Sequence, residues 1–178
     1  MKQRTDGILL VDKGEGETSY GVVKKAKRSL TIRKVGHAGT LDPFATGLLI
    51  ILLGQGTKLS RFLMAGKKAY MATLRLGIET DTLDSTGKQV RTHAVPDLTL
   101  EKIEEKAFSF VGDIEQVPPL YSAVKHEGQR AYKLARQGVG VDLRPRVVTV
   151  YSFEVLSVQL PDIDIKVTCS SGTYIRSL

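Results

Sequence analysis

The sequence contains little cysteine, no tryptophan and no long apolar run. Cys169 is the only cysteine among 178 residues, which excludes an internal disulfide and fits a reducing compartment. The longest apolar run, Leu48 to Leu53, has six residues, whereas a membrane-spanning helix needs roughly 20. The opening residues MKQRTDGILLVDK contain no apolar stretch long enough for a signal peptide. We therefore expect one globular domain in the cytoplasm with no membrane contact.

Acidic residues are missing from residues 18–36, which carry six lysines and arginines. Residues 118–146 carry six more basic residues and only two acidic ones. These two stretches hold 12 of the 26 basic and 2 of the 19 acidic residues, which leaves 14 basic and 17 acidic residues elsewhere. The net charge of +7 is therefore concentrated in two places, a pattern typical of proteins that bind nucleic acid. The alternative is that both stretches form solvated helix faces.

The sequence offers few ligands for a metal or a nucleotide. Its three histidines and one cysteine have none of the close spacings found in zinc sites. The segment GQGTK lacks the spacing of a nucleotide-binding phosphate loop, and no serine or cysteine nucleophile motif is present. We therefore expect an activity that needs no cofactor.

Hydrophobic periodicity predicts both helices and strands in the first half. The apolar segment 7–13 predicts a buried strand that ends in a lysine, and 18–30 predicts a helix capped by Thr18 or Ser19. The run 48–53 fits either a central strand or a buried helical turn. The segment 69–78 alternates, which indicates a strand with Tyr70 on its apolar side.

The second half continues the same mixture. Residues 98–112 predict a helix capped by Thr99, and 146–160 and 162–170 predict two strands. Between them, the prolines and glycines of about 118–146 indicate an insertion that projects from the body and is partly helical at 131–136. The fold class is therefore α+β, built on a mixed, mostly antiparallel sheet flanked by helices.

Asp42 stands at the start of the apolar run, after the glycines of GHAGTLDP. Pro43 favours an extended backbone at Asp42 and suits the first position of a helical turn, so Asp42 fits a simple turn cap. Alternatively, Asp42 is an ionised carboxylate aimed at a substrate, and Gly36 and Gly39 let that substrate approach the backbone. Spacing alone leaves both interpretations open.

The segment GHAGTLDPFATGLLIILLGQGTK closely resembles the signature of the TruB family of tRNA pseudouridine synthases. The resemblance continues, in order, through GILLVDKGEGETS, KKAYMATLRLG, TDTLDSTGKQV, FVGDIEQVPPLYSAVKHEGQRAYKLARQG and CSSGTYIRSL. It implies conversion of uridine to pseudouridine at position 55 in the T-loop of tRNA. It also implies the pseudouridine synthase fold, with residues 118–146 as an insertion that grips RNA.

The resemblance also implies roles for individual residues. Asp42 matches the catalytic aspartate, which acts on the ribose by attack at the anomeric carbon or by removal of a proton from the neighbouring carbon. Tyr70 matches the tyrosine that stacks on the base and helps remove its C5 proton. Arg176 matches the arginine that pairs with the catalytic carboxylate.

Further residues match the family's substrate contacts. His37 corresponds to the histidine that contacts the RNA where the base has left, and Tyr174 to a residue of the base pocket. Lys13 and Lys58 match motif lysines that either contact phosphates or support the site. In the insertion, Lys133 and Arg136 are the expected tRNA contacts.

The chain departs from the family pattern at two places. Gly14 stands where the family has proline after Asp-Lys, which predicts a looser turn. The family's region after GTYIR, with an apolar pocket residue and a PUA-type RNA-binding domain, is absent from the 178 residues. We therefore expect 1–178 to be a catalytic domain that is incomplete at its C-terminus and monomeric.

Three functions remain open at this point. The first is a cofactor-independent pseudouridine synthase, and the second is a tRNA-binding fragment that turns over slowly or not at all. The third is a structural domain whose basic stretches bind nothing specific.

Overall fold

The computed structural model describes residues 5–178, including the backbone but not the side chain of Arg136. The chain divides into two compact units: the first extends to Gly66 and the second covers Lys67–Leu178. In the described part of the chain, no helix is both long enough and apolar enough to cross a membrane.

The first unit is a three-stranded antiparallel sheet with one helix packed on it. Its strands are arranged in the order β1-β3-β2, so the apolar run lies in the centre of the sheet, as one of the two interpretations predicts. A 3₁₀ helix follows β3 at Gly54–Leu59. The elements of this unit are β1 (Gly7–Lys13), α1 (Ser19–Ser29), β2 (Val35–His37), β3 (Gly47–Leu53) and α2 (Ser60–Met64).

Helix α1 forms where its capping residue and apolar stripe predict it. The Thr18 hydroxyl accepts a hydrogen bond from the Gly21 N–H at 2.9 Å, which satisfies a free donor of the first turn. Val22, Val23 and Ala26 are buried against the β3 side chains that face the helix. The basic residues are left on the solvent side of the helix.

The strand prediction for β1 is confirmed, but its expected burial is wrong. Leu10 is 65% exposed and Ile8 is 46% exposed, whereas the Lys13 side chain is inaccessible to solvent. Within residues 5–178, β1 pairs only with β3, and α1 covers only one face of the sheet. Three consecutive apolar residues of β1, Ile8 to Leu10, are therefore exposed to solvent.

The second unit contains a four-stranded antiparallel sheet in the order β4-β11-β10-β7. Helix α3 packs against it through Ile103, which joins the buried side chains of β10 and β11. Thr99 caps this helix as expected. Two short hairpins pair β5 with β6 and β8 with β9. The elements are β4 (Lys68–Arg75), β5 (Ile78–Thr80), β6 (Gln89–Thr92), α3 (Leu100–Phe108), β7 (Gly112–Gln116), β8 (Lys125–His126), β9 (Gln129–Arg130), α4 (Ala131–Arg136), β10 (Arg146–Gln159) and β11 (Asp162–Cys169).

The two units together confirm an α+β fold in which every described strand pair is antiparallel. The GTYIR segment is not an extended strand at its end, because Ile175–Ser177 form a 3₁₀ turn. Strand alternation therefore does not determine the directions of the Tyr174 and Arg176 side chains.

Candidate active site

Asp42 lies in the loop that connects β2 to β3. Its carbonyl oxygen accepts a hydrogen bond from the Ala45 N–H at 3.1 Å, which closes a tight turn over 42–45. The side chain is half-buried. The turn interpretation of Asp42 is thus correct for its backbone. This hydrogen bond joins backbone atoms only, so it assigns no chemical role to the carboxylate.

The residue before Asp42 is held by the first residue of helix α1. The Ser19 hydroxyl donates to the Leu41 carbonyl at 3.1 Å and accepts from the Leu41 N–H at 3.0 Å. Ser19 is buried, so water cannot replace either hydrogen bond at low cost. The beginning of α1 therefore fixes one side of the loop.

The residue after Asp42 is held by the end of β1. The Lys13 ammonium donates to the Pro43 carbonyl at 3.1 Å, and also to the carbonyls of Gly14 and Glu17. The Gly16 N–H donates to the same Pro43 oxygen at 2.8 Å. An ammonium has three donors, and these three carbonyls use all of them. Of the two roles left open for Lys13, its burial and contacts favour support of the loop.

His37 ends β2, four residues before Leu41. Its Nδ1 contacts the Gly39 carbonyl, and since a carbonyl only accepts, Nδ1 carries the hydrogen. Gly39 has a φ of +134°, which residues with a side chain rarely adopt, and no atom lies within 4 Å of the position its Cβ would take. The loop is therefore open beside a half-buried imidazole.

Lys58 lies in the 3₁₀ helix after β3, and its side chain is exposed. This segment is held close to β1, because a Cβ on Gly56 would lie 2.3 Å from the Gly7 carbonyl oxygen. A rigid backbone thus presents the ammonium of Lys58 to solvent, as a phosphate contact requires.

Tyr70 lies on β4 in the second unit, opposite Val167 of β11. Its half-buried ring packs against the core of that unit with Ala72 and Leu74, as the alternating pattern predicts. Ile78, in contrast, begins a separate strand, because β4 ends at Arg75. Tyr70 is therefore fixed by the core without being fully enclosed in it.

Arg176 contacts three groups of the second unit. Its guanidinium donates to the Thr82 carbonyl at 2.8 Å and to the Tyr121 carbonyl at 3.1 Å. The Asp84 carboxylate lies 3.5 Å away, and both charged side chains are 8% exposed. Arg176 thus connects the β5–β6 turn to the segment after β7.

Asp84 is held as a carboxylate in this setting. Burial works against ionisation, but hydrogen bonds from Thr86 and Thr82 and the nearby Arg176 charge outweigh it, so the pKa of Asp84 lies below its ordinary value. The Thr86 N–H and hydroxyl donate at 2.9 and 2.6 Å, and the Thr82 hydroxyl at 2.8 Å. The turn therefore supplies a fixed negative charge for the arginine.

Tyr174 is held through its backbone by Gln116, the last residue of β7. The Gln116 amide donates to the Tyr174 carbonyl at 2.9 Å and accepts from the Tyr174 N–H at 2.8 Å. Gln116 is buried, and the Tyr174 side chain is half-buried. The backbone of the GTYIR segment is thus attached to the sheet at a defined position.

The insertion over 118–146 contains the β8–β9 hairpin followed by α4. Lys133 is exposed on α4, which is anchored by the buried Ala131. The predicted helix at 131–136 is confirmed. The side chain of Arg136 lies outside the described residues.

Ser19, Gln116 and Asp84 were not predicted to support the site. Ser19 was considered only as a helix cap, and its contact with Leu41 spans 22 residues. The turn residues around Asp84 were recognisable, but nothing in their spacing indicates a partner 92 residues later. A buried polar residue that joins distant segments leaves no periodic signal.

Comparison with protein families matches residues 27–175 to the model described as TruB family pseudouridylate synthase (N terminal domain). A tRNA pseudouridine synthase B of Clostridium kluyveri is 50% identical over 173 residues, which cover 97% of this chain and 60% of that protein. The corresponding protein of Endomicrobium trichonymphae is 46% identical over 97% of this chain and 75% of its own length.

Solved structures give the same result for the fold. A chain in a crystal structure of a Cbf5-Nop10-Gar1 complex superposes with a TM-score of 0.70 and 32% identity, covering 96% of this chain and 41% of that one. A chain of an H/ACA RNP bound to a substrate RNA containing 2'-deoxyuridine superposes with a TM-score of 0.68 and 29% identity, over 96% and 40% of the two chains. The arrangement of strands and helices is thus shared with these proteins.

Proposed function

Because the chain belongs to the TruB family of pseudouridylate synthases, we propose that it isomerises uridine to pseudouridine at position 55 in the T-loop of tRNA. The single observation that carries the proposal is the family match over residues 27–175, which includes Asp42. The clamped backbone on both sides of Asp42 supports it, because a catalytic carboxylate must be held in a fixed position.

The proposed reaction starts with the Asp42 carboxylate acting on the ribose. It attacks the anomeric carbon or removes a proton from the neighbouring carbon, and the glycosidic bond breaks with its electron pair passing to N1 of uracil. The uracil turns and a bond forms between its C5 and the anomeric carbon. In the first route the bond from the carboxylate to the anomeric carbon breaks at this point, and in the second the neighbouring carbon regains its proton. The C5 proton is then lost. N1 gains a proton in exchange, so the product is an isomer of the substrate and no cofactor is consumed.

The target uridine must leave its folded loop to reach the carboxylate, which costs a few kcal/mol. We propose that Tyr70 stacks on the extruded base and assists removal of the C5 proton. Stacking on an aromatic ring returns about 1–3 kcal/mol per base, which offsets much of the extrusion cost. Tyr174 then lines the base pocket, and Arg176 pairs with Asp42.

The remaining residues bind the RNA in this proposal. His37 occupies the space in the RNA that the base has left, and Lys58, Lys133 and Arg136 contact phosphates. Lys13 acts through the loop and not on the RNA. The partner is the T-stem and loop of tRNA, bound by a monomer in the cytoplasm.

A second candidate is tRNA binding without turnover. It is favoured by one observation: the chain spans 60% of the length of the Clostridium kluyveri relative. Binding and turnover must therefore be measured separately.

The test incubates the chain with an unmodified T-loop hairpin and measures pseudouridine by mass-labelled detection. We expect product from the wild type, none from Asp42→Asn, and tRNA affinities within a few fold of each other. Asp12→Asn is a matched control, because it makes the same change at an exposed position of the same unit.

Equal product from wild type and Asp42→Asn contradicts the assignment of Asp42. Tight, salt-dependent tRNA binding without product supports the second candidate. Absence of tRNA binding by the wild type contradicts both.

A further inference from the structure

Helix α1 presents a row of one aromatic and two basic side chains to solvent. Tyr20, Lys24 and Arg28 follow one another at intervals of four residues, so they lie on one side of the helix, opposite its buried face. The Lys24 ammonium lies 4.8 Å from the centre of the Tyr20 ring, which is 63% exposed. We call these three residues the α1 row.

The α1 row keeps its positive charge available to a partner. Lys25, on the flank of the helix, pairs with Glu17. In contrast, neither Lys24 nor Arg28 has a carboxylate partner within residues 5–178. No acidic residue occurs in 18–36. A surface of this kind attracts a polyanion and gains affinity by releasing its counterions.

The α1 row belongs to the same helix whose first residue supports the Asp42 loop. Tyr20 directly follows Ser19, whose hydroxyl holds Leu41, and Leu41 directly precedes Asp42. From Tyr20 to Arg28 the helix rises about 12 Å at 1.5 Å per residue. Ser19 lies on the buried face of the helix, so the row faces solvent on the opposite side of the element that supports the loop.

We propose that the α1 row binds the sugar–phosphate backbone of the substrate RNA, an inference that rests on the proposed function. Lys24 and Arg28 each neutralise a phosphate. The Tyr20 ring orients the Lys24 side chain along the row and packs against a sugar or base. The RNA is thus held by the first unit itself, in addition to the expected contacts of the insertion.

The test measures the affinity for unmodified tRNA between about 50 and 200 mM salt, where phosphate contacts weaken steeply. For Lys24→Gln/Arg28→Gln we expect the slope of log affinity against log salt to decrease in magnitude by about 2, or about 1 for each lost phosphate contact. Tyr20→Ala should reduce affinity and leave the slope nearly unchanged, because a neutral ring releases no counterion.

The matched control is Lys102→Gln/Lys106→Gln, which neutralises two exposed lysines at the same spacing on α3, among acidic neighbours. It should leave the slope unchanged. Thermal unfolding of each variant shows whether the fold is retained, and pseudouridine formation is measured on the same samples.

The proposal is overturned if Lys24→Gln/Arg28→Gln leaves the slope unchanged, or if the control variant changes the slope equally. The α1 row would then bind another partner, such as an acidic protein. If turnover is normal in that case, the proposed function stands. A reduced slope in a chain that forms no pseudouridine supports the α1 row and contradicts the proposed activity.

Discussion

Arg176 and Asp84 form an ion pair that is nearly closed to water, with Nη1 3.5 Å from Oδ2 and each side chain 8% exposed. The two residues lie 92 positions apart, so this contact ties the end of the described chain to the β5–β6 turn. Loss of one partner leaves the other charge buried and uncompensated, which is more costly than loss of an exposed pair.

Asp84→Asn should therefore destabilise the fold by about 3 kcal/mol, because it removes a buried carboxylate that lies beside the Arg176 guanidinium. The free energy of unfolding from urea titration measures this change. Asp162→Asn is the matched control: it breaks the exposed pair with Arg75 and should cost much less, because exposed ion pairs contribute little to stability. Equal losses in both variants would show that burial adds nothing to the Arg176 pair.

The same carboxylate predicts a dependence of stability on pH. The pKa of Asp84 is lower in the folded chain than its ordinary value of about 3.9, so between the two values the unfolded chain binds more protons. Its contribution to stability is therefore present above about pH 4 and is lost as pH falls through the folded pKa. The stability difference between wild type and Asp84→Asn should shrink on acidification; a constant difference from pH 7 to pH 2 would refute this.

Lys13→Met should lower both stability and turnover. The substitution keeps an unbranched side chain but leaves three carbonyls without their ammonium donor, at about 1–3 kcal/mol for each buried unsatisfied group. We expect kcat to fall with tRNA affinity nearly unchanged, because Lys13 holds the Asp42 loop and does not reach the RNA. Lys25→Met, at an exposed position, is the control and should behave as wild type.

Ser19→Ala should loosen the other side of the loop. It removes both hydrogen bonds to Leu41 and should reduce the free energy of unfolding by about 1–2 kcal/mol. If these two hydrogen bonds position Asp42, kcat should fall by more than the loss of folded protein accounts for, while KM stays close to its wild-type value. Ser29→Ala, at the exposed end of the same helix, provides the comparison, and a similar kcat in the two variants would remove the positioning role.

Tyr70→Phe separates stacking from proton transfer. The phenyl ring keeps its packing beside Val167 and its ability to stack on a base, so tRNA affinity should be nearly unchanged. Turnover should fall strongly, because the hydroxyl that assists loss of the C5 proton is absent. Wild-type rates in single-turnover measurements would rule out this role for the hydroxyl.

Much of the local structure follows from the sequence, because it depends on short-range patterns. Thr18 and Thr99 cap the helices they were expected to cap, and the apolar run forms the central strand of the first unit. The burial of β1 was wrong because a strand's composition does not say whether it lies at the edge of a sheet. Nor does composition say which face of the sheet a helix covers, and Leu10 is apolar and exposed because helix α1 packs on one face only.

The site could be predicted only in part. The residues named from the family resemblance lie on defined backbone, and their catalytic roles remain proposals. The contacts that fix this backbone could not be predicted, since Lys13 reaches Pro43 and Gln116 reaches Tyr174 across 30 and 58 residues. Side-chain to main-chain hydrogen bonds of this range depend on the folded geometry, which no local pattern encodes.

The hydrogen bonds described above hold the Asp42 loop through residues that are near it in the sequence and are therefore synthesised shortly before or after it. Lys13, Gly16 and Ser19 precede it, and Ile50, which accepts a hydrogen bond from the Ala38 N–H, follows within one strand. Once β3 has left the ribosome, a growing chain therefore holds every one of these partners. The carboxylate-bearing turn can be set before β7, β10 and β11, three of the four strands of the second unit's sheet, have left the ribosome.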